Sequence, residues 1–273
     1  MRIIKAQKIK NAVSRLCEHA NIDLRKDVLS ALKTALRFER GAKSKAALRA
    51  IIKNAEVARK ERLAICQDTG LPSVLVELGQ EVKVDGNLKA AIHKGIEEGY
   101  RKASLRNSIV SDPLKRGVPS YVPGLIHIDL VKGSRIKITV MPKGFGCENK
   151  TQLKMFNPTD GTEEVKKFIV DAVKAAGPDA CPPYVVGVGI GGSADYACFL
   201  AKKALLNPLQ SARGALSRDL LKRINNLKIG PMGLGGRTTA LAVNVLTYPT
   251  HIAGLPVAIN ISCHATRSAT LVL

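Results

Sequence analysis

The sequence has few acidic residues, few aromatic residues and no tryptophan. Asp and Glu number 22 against 43 Lys and Arg, which gives a formal net charge of +21, and aromatic residues make up 4% of the chain. A basic balance favours nucleic acid, anionic small molecules or an acidic partner. Proteins that bind single-stranded nucleic acid stack bases on aromatic side chains, and no long basic run here is interleaved with aromatics. We therefore expect the charge on solvated helix faces, which disfavours binding to nucleic acid.

The sequence also lacks the long apolar segments of secreted and membrane proteins. Its first residues, Met1-Arg2-Ile3-Ile4-Lys5, do not form the apolar core of a signal peptide, and no run reaches transmembrane length. The cysteines are widely spaced, without a C-x-x-C pair, at Cys17, Cys66, Cys147, Cys181, Cys198 and Cys263. A chain of 273 residues that is 45% hydrophobic builds a core without disulfides. We expect a cytoplasmic protein, with no membrane contact, whose reduced thiols are available to a metal.

Hydrophobic periodicity predicts an α/β fold with mixed sheets, surrounding helices and an N-terminal helical layer. Apolar residues recur at three- and four-residue steps, typical of helices, over 8–59, 86–101, 162–176 and 194–206. Strand patterns cover 73–78, 125–131, 135–140 and 184–192. Residues 132–134 join the second and third of these strands as a predicted hairpin. Asp160 and Glu163 predict a capping box at the start of the third helix. We expect one catalytic domain, with 1–60 as its helical part and 61–273 as its α/β part.

The segment Cys66-Gln67-Asp68-Thr69-Gly70 lies at a junction between a helical pattern and a strand pattern. It combines a soft metal ligand with a possible proton carrier, at a position where functional sites are commonly built. Taken alone, a buried thiol beside a capping aspartate is the simpler interpretation.

Two further cysteines have a similar setting. Cys181 precedes Pro182-Pro183, a stiff segment, and Cys263 ends an apolar run. Cys17 and Cys198 lie within helical patterns and are expected to pack in the interior. Three thiolates can hold a four-iron cluster with one iron open to substrate, although four cysteines are the usual ligand set. Spacing alone leaves this interpretation weak.

Glycine-rich segments offer an alternative. Gly187, Gly189 and Gly192 spell G-x-G-x-x-G between a predicted strand and a helix, as in dinucleotide-binding proteins. The acid expected about 20 residues later is missing until Asp219. A nucleotide-binding oxidoreductase is therefore the second hypothesis, and a basic scaffold is the third. Among other polar residues, Arg106 suits a carboxylate ligand, and His127 is expected on a strand face.

The motifs, taken in order, resemble the α part of iron–sulfur-dependent hydro-lyases, the class I fumarate hydratases and the L(+)-tartrate dehydratases. The resemblance runs from about Arg59 to the C terminus. It is carried by Cys66–Gly70, Pro142–Asn149, Gly187–Gly192, Ile229–Thr239 and Tyr248–Ala253. Cys147 is a departure, because the family usually has Ser at this position. A second departure is the Gly117–Gly124 loop, which is usually more polar.

The resemblance implies a function, a cofactor and site residues. It implies that Cys66, Cys181 and Cys263 hold a [4Fe-4S] cluster with one open iron, in the part 61–273. It also implies that Gln67, Arg106 and Gly146 line the substrate pocket and that Asp68 and His251 handle protons. The implied reaction is reversible hydration of a dicarboxylate. Fumarate and (S)-malate, a tricarboxylic acid cycle pair, come first; conversion of L(+)-tartrate to oxaloacetate is the alternative, and mesaconate hydration is possible.

The resemblance also implies a partner. In the family a β part completes the site with further carboxylate-binding residues and a hydroxyl-bearing base. The sequence ends where that part would begin, so we expect an α subunit that needs a separate β subunit, in an α2β2 or α2 assembly.

Overall fold

The computed structural model describes residues 1–212 and 214–273. Two compact units make up this part of the chain. Unit one comprises Met1–Arg25, Ala55–Phe145 and Arg267–Leu273, and unit two comprises Lys26–Asn54 and Gly146–Thr266. Each unit is therefore assembled from segments that lie far apart in the sequence.

The predicted mixed α/β fold is confirmed. The helices are α1 Ala6–Ile22, α2 Lys26–Phe38, α3 Ala42–Glu61, α4 Leu88–Lys102, α5 Phe145–Glu148, α6 Gly161–Ala176, α7 Ala194–Ala204 and α8 Ala215–Asn225. The strands are β1 Arg2–Lys5, β2 Leu71–Gly79, β3 Val82–Asp85, β4 Leu125–Val131, β5 Ile136–Lys143, β6 Gln152–Phe156, β7 Tyr184–Gly192, β8 Ala240–Thr250, β9 Leu255–Ser262 and β10 Ala269–Val272. Among the described helices, none has the length and apolarity needed to cross a membrane.

Unit one is built on a four-stranded sheet with strand order β10-β5-β2-β4, beside a parallel pair of β1 and β3. Alternate residues of a strand face opposite sides of a sheet, and here Val74 and Val76 of β2 point into the core with Ile138 of β5. Helices α1 and α4 bury their apolar faces in the same cluster, with Ile9 and Ile92 fully buried. This packing supports β2, the strand that follows the Cys66 segment.

The predicted hairpin between β4 and β5 is wrong, because β2 lies between them. β2 pairs with β4 in parallel and with β5 in antiparallel orientation. The segment that joins β4 to β5 passes over the end of β2, where the amides of Gly79 and Gln80 donate to Arg135 O and Val131 O, each at 2.9 Å. A Cβ on Gly79 would lie 2.3 Å from Gly133 O, so this crossing needs glycine at position 79.

Unit two is built on a sheet with strand order β6-β9-β7-β8. β9 runs antiparallel to both of its neighbours, and β7 runs parallel to β8. One face of the sheet packs against α6 and α8 through residues such as Val186, Ile169 and Leu220. Helix α7 covers the other face, where Ala197 and Ala201 contact Ala258.

The glycines of the G-x-G-x-x-G segment are required for packing of α7 on β7. A Cβ on Gly187 would lie 2.0 Å from Ala201 O, and one on Gly189 would lie 2.1 Å from Ala197 O. No side chain fits between these backbones, which meet directly. The pattern that resembles a dinucleotide fingerprint therefore has a structural explanation.

The predicted capping box of α6 is wrong. Asp160 makes no side-chain cap hydrogen bond, and its φ of −67° and ψ of −17° are already helical. A side-chain cap needs an extended residue at this position. The Asp160 carboxylate instead accepts a hydrogen bond from the amide of Asn157, at 2.9 Å.

Candidate active site

The segment Cys66–Gly70 lies in unit one, in the loop between α3 and β2. The amide of Ile65 donates to Asn21 O at 2.9 Å and holds the start of the segment on α1. The Cys66 thiol donates to Gln67 Oε1 at 3.2 Å, and the Gln67 side chain is exposed. The loop therefore presents a partly exposed thiol next to an exposed amide.

Asp68 is fixed by hydrogen bonds at both carboxylate oxygens. Oδ1 accepts from the amide of Gly70 at 2.9 Å, and Oδ2 accepts from the amide of Phe145 at 2.8 Å. These contacts tie the loop to the end of β5 and fix the orientation of the carboxylate. The Asp68 side chain remains partly exposed.

Arg267 supports the same loop through buried hydrogen bonds, a role that the sequence analysis did not predict. Its side chain is 4% exposed. Nη2 donates to Asp68 O at 2.8 Å, and Nη1 donates to Asn21 Oδ1 at 3.3 Å. The sequence feature that indicates this role is an arginine four residues after Cys263, in a C-terminal segment with little other charge. Its buried guanidinium couples the loop to α1.

Thr69 and Tyr100 anchor the loop at its other end. The Thr69 hydroxyl is 3.1 Å from both the amide and the carbonyl of Arg106, and Thr69 O accepts from the Tyr100 hydroxyl at 2.9 Å. Burial raises the pKa of Tyr100, so its hydroxyl stays protonated and remains a donor. The Arg106 backbone is held in place while its side chain is exposed. Its guanidinium is thus accessible to a carboxylate ligand.

Cys181 and Cys263 lie in unit two, and a pair of contacts holds their loops together. The amide of His264 donates to Cys181 O at 3.2 Å, and His264 Nδ1 is 3.1 Å from the same oxygen. The Thr266 hydroxyl donates to Cys263 O at 2.8 Å and shapes the turn after β9. Cys181 thus lies beside the residue that follows Cys263, although 82 positions separate the two cysteines in the sequence.

The predicted metal ligands differ in burial from two of the other cysteines. All six cysteines are thiols. Cys66, Cys181 and Cys263 are partly exposed, whereas Cys17 and Cys147 are buried. Burial raises the pKa of the Cys17 thiol, as expected for a packing residue. Cys198 is partly buried on α7, and burial likewise raises its pKa.

Residues 146–148 of the short helix α5 contain a polar network in unit two. Gly146 itself is exposed. The Cys147 thiol donates to Ala180 O at 3.4 Å, next to Cys181. Glu148 accepts a hydrogen bond from Asn260 at 3.1 Å and forms an ion pair with Lys202 at 2.5 Å. These contacts hold α5 on β9 and α7.

His251 lies in the exposed turn between β8 and β9. Its Nδ1 accepts a hydrogen bond from the amide of Ala253 at 3.2 Å. When the ring is neutral, Nε2 therefore carries the proton. This arrangement orients the imidazole and leaves Nε2 as its second functional atom.

The predicted site residues are divided between the two units. Cys66, Gln67, Asp68 and Arg106 belong to unit one, and Gly146, Cys181, His251 and Cys263 belong to unit two. In residues 1–212 and 214–273, no three His, Cys, Asp or Glu side chains form a metal-ion ligand group. A four-iron cluster has iron and sulfide between its thiolates, so its cysteines stand farther apart than the ligands of a single ion.

Comparison with known proteins identifies the family. The family model described as fumarate hydratase (fumerase) matches residues 10–272. The putative L(+)-tartrate dehydratase subunit alpha of Methanocaldococcus jannaschii is 39% identical over 274 residues, covering 96% of each chain. The L(+)-tartrate dehydratase subunit alpha of Escherichia coli O157:H7 is 30% identical over 256 residues, covering 90% of this chain and 84% of the relative. The chain belongs to the fumarate hydratase family.

Proposed function

We propose that the protein is the α subunit of a [4Fe-4S] hydro-lyase that reversibly hydrates a dicarboxylate. The first substrate pair is fumarate and (S)-malate. Family membership over residues 10–272 supports the reaction class. The names of the relatives favour L(+)-tartrate dehydration as the alternative activity.

The observation that carries the proposal is the contact between the loops of Cys181 and Cys263. The amide of His264 reaches Cys181 O at 3.2 Å, so two of the three proposed ligands lie on neighbouring loops. All three proposed ligands, Cys66 included, are partly exposed thiols in the segments that connect secondary-structure elements. Thiolates are the ligands that iron–sulfur clusters take. The donor set therefore fits a four-iron cluster.

In this proposal, Arg106 binds one carboxylate of the substrate. The Thr69 contacts hold the Arg106 backbone, and its exposed guanidinium has the planar geometry that pairs with a carboxylate through two hydrogen bonds. Gln67 offers an amide to the same ligand, and the exposed backbone of Gly146 allows a close approach. When bound, the cluster supplies a Lewis acid for the substrate hydroxyl.

Asp68 and His251 handle the protons in this proposal. Asp68 is held by two backbone amides, so its carboxylate keeps one orientation during turnover. His251 Nε2 carries a proton in the neutral ring, because Nδ1 accepts from Ala253. General acid–base groups of this kind need a fixed position and a titratable proton.

We also propose that the chain acts as one catalytic domain with a separate β subunit. The relatives at 39% and 30% identity are named as α subunits, which supports a second polypeptide. An α2β2 or α2 assembly fits that composition. Six thiols suit a reducing compartment such as the cytoplasm.

Anaerobic reconstitution with iron and sulfide tests the cluster. The expected result is a brown protein with about four irons per chain. Cys66→Ser, Cys181→Ser and Cys263→Ser should each lose iron, while Cys198→Ser, a substitution of another partly exposed thiol, should keep it. An iron-free wild type, or a Cys66→Ser variant with a full complement of iron, contradicts the proposal.

Turnover by the reconstituted chain with its β subunit separates the substrates. Fumarate hydration without tartrate turnover supports the first activity, and the reverse supports the alternative. Arg106→Lys should raise KM more than it lowers kcat, because a lysine cannot form the two parallel hydrogen bonds.

A further inference from the structure

Cys181 has a backbone conformation that is rare for a residue with a side chain. Its φ is +55°, in the left-handed region, where a Cβ approaches the following carbonyl oxygen too closely. Residues persist in this conformation when their surroundings fix them, and such residues cluster at ligand-binding positions. The Cys181 amide donates to Pro178 O at 3.0 Å and closes a tight turn. The segments that pack against residues 178–182 therefore determine where the thiol lies.

Two segments of unit two hold this turn from outside. On one side, the amide of His264 donates to Cys181 O at 3.2 Å. On the other side, the amide of Met232 donates to Pro182 O at 2.8 Å. Met232 belongs to a glycine-rich segment, residues 230–237, and its own φ is +53°. Cys181 and Met232, both left-handed, are thus linked through the Pro182 carbonyl.

Gly233 makes the closest approach of this segment to the turn. A Cβ at position 233 would lie 2.4 Å from the Pro178 Cβ, closer than two carbon atoms come without displacement. The proline ring cannot rotate away, because its φ is fixed. The Pro178 carbonyl is also the acceptor for the Cys181 amide. A side chain at position 233 would therefore displace the turn that carries Cys181.

The glycine-rich segment is fixed independently of the turn. The amide of Gly235 donates to Ile229 O at 2.9 Å and closes the loop on itself. The amide of Gly230 donates to the Thr239 hydroxyl at 3.3 Å, and Thr239 is fully buried. The segment therefore presents a fixed surface to the Cys181 turn.

We propose that Gly233 is a positioning residue for Cys181. Its missing side chain leaves room for Pro178, and the fixed segment around it holds the Cys181 turn in one place. This inference rests on the proposed function, in which the Cys181 thiolate binds the cluster. Residues that orient a metal ligand commonly change metal affinity about 10- to 100-fold when they are altered. A displaced turn should therefore hold iron less well, although the thiol itself is unchanged.

Two alanine substitutions isolate the contact with Pro178. Gly233 and Gly235 share a φ of +75°, but nothing lies within 4 Å of a Cβ at position 235. The conformational cost is therefore matched, and only Gly233→Ala displaces Pro178. After anaerobic reconstitution, Gly233→Ala should lose iron to a chelator about tenfold faster than wild type, whereas Gly235→Ala should lose it at the wild-type rate.

Removal of the proline should rescue the first variant. Pro178→Gly deletes the Cβ that the new methyl group would meet. The double variant Gly233→Ala/Pro178→Gly should therefore lose iron at the rate of Pro178→Gly alone. A purely conformational effect at position 233 would give no rescue, because φ there stays positive. Circular dichroism of each cluster-free variant checks that it folds.

Alkylation of the cluster-free chain tests the position of Cys181 without iron. Mass spectrometry follows the rate at which iodoacetamide modifies each thiol, which depends on access and on local environment. Gly233→Ala should raise the rate at Cys181, because the displaced turn opens more often. The rate at Cys198, a partly exposed thiol on α7, should stay at the wild-type value. Gly235→Ala should change neither rate.

The outcomes distinguish this inference from the proposed function. If wild type binds iron but both alanine variants lose it equally fast, the cluster stands and the positioning role is overturned. An unchanged alkylation rate at Cys181 in Gly233→Ala also overturns it. If wild type binds no iron, the proposed function fails, and the alkylation rates alone decide whether Gly233 positions Cys181.

Discussion

Gly70 shows how closely the backbone packs beneath the candidate site. Its φ is +73°, and a Cβ would lie 2.7 Å from both the Pro142 carbonyl carbon and the Lys143 amide nitrogen. The turn thus needs glycine for its conformation and again for its contacts. Because those contacts come from the end of β5, position 70 fixes the distance between the loop and that strand.

Substitution at Gly70 separates these two requirements. Gly117→Ala is the matched control, with a φ of +82° and nothing within 4 Å of the added Cβ. We expect Gly117→Ala to lower the free energy of unfolding by about 1 kcal/mol, from conformation alone. Gly70→Ala should cost about 3 kcal/mol, since the backbone must also shift. Urea unfolding measures both. Equal losses would contradict a packing role at Gly70.

At the residue scale, local sequence predicted the candidate site residues but not the residues that support them. The segment Cys66–Gly70 was found because a thiol, a carboxylate and a glycine stand side by side. Arg267 was missed because its partners are Asn21 and Asp68, 246 and 199 positions away. Tyr100 was missed for the same reason. A buried group that supports a loop from a distant segment leaves no local pattern.

The turn after α2 binds a second glycine-rich segment, residues 235–237, within unit two. Glu39 is 2% exposed, and its carboxylate accepts from the amides of Arg40 and Arg237, each at 2.8 Å. The Ser44 hydroxyl donates to Gly235 O at 2.7 Å. The residue after α2 and the start of α3 therefore both form hydrogen bonds with residues 235–237.

The pH dependence of the free energy of unfolding should report the hydrogen bonds that Glu39 accepts. Burial alone would raise the pKa of Glu39, but four backbone amides together outweigh burial and lower it below its usual value of 4.5. The native state then binds fewer protons than the unfolded state. The stabilisation is complete above the unfolded pKa and is lost as pH falls through the native one.

Glu39→Gln removes the charge and keeps the shape. We expect it to lower the free energy of unfolding by about 2 kcal/mol at neutral pH, because hydrogen bonds to a charged acceptor are lost. The difference from wild type should shrink as pH falls below 4.5. Glu164→Gln, at an exposed position, should stay within about 0.5 kcal/mol of wild type. Urea unfolding at several pH values measures this, and a constant difference would exclude the titration of Glu39.

At the element scale, periodicity predicted most of the long helices and four of the ten described strands, but not how the strands pair. The strands of 125–131 and 135–140 are adjacent in sequence with a glycine between them, which is typical of a hairpin. β2 separates them because its own apolar residues complete the face that α1 and α4 cover. Likewise, Gly187 and Gly189 gave a nucleotide-binding pattern, whereas the contact that requires them comes from α7.

At the scale of the whole molecule, each unit draws on separated segments. Residues 26–54 group with 146–266, and residues 267–273 group with the first 25. No change in composition marks the positions in the sequence where the chain passes from one unit to the other. They follow from tertiary contacts, which single-sequence patterns do not contain.

Removal of residues 269–273 should weaken unit one selectively. These residues form β10 and pair with β5, with Leu273 N donating to Ile136 O at 2.8 Å and the Thr139 and Thr270 hydroxyls 2.9 Å apart. Their loss leaves β5 as an edge strand. We expect hydrogen exchange in β5 to quicken at least about tenfold, while β9 amides in unit two serve as the internal control. Equal acceleration in β5 and β9, or none, would contradict this division.

The return of residues 267–273 to unit one also sets the order of events during synthesis. A ribosome delivers the N-terminal part first, so α1, β2 and β5 emerge long before Arg267 and β10. Until then the nascent chain lacks the Arg267 guanidinium that binds the Asp68 carbonyl. It also lacks β10, the strand that pairs with the outer side of β5. The support that Arg267 gives to the Cys66 loop therefore forms only after unit two has been translated.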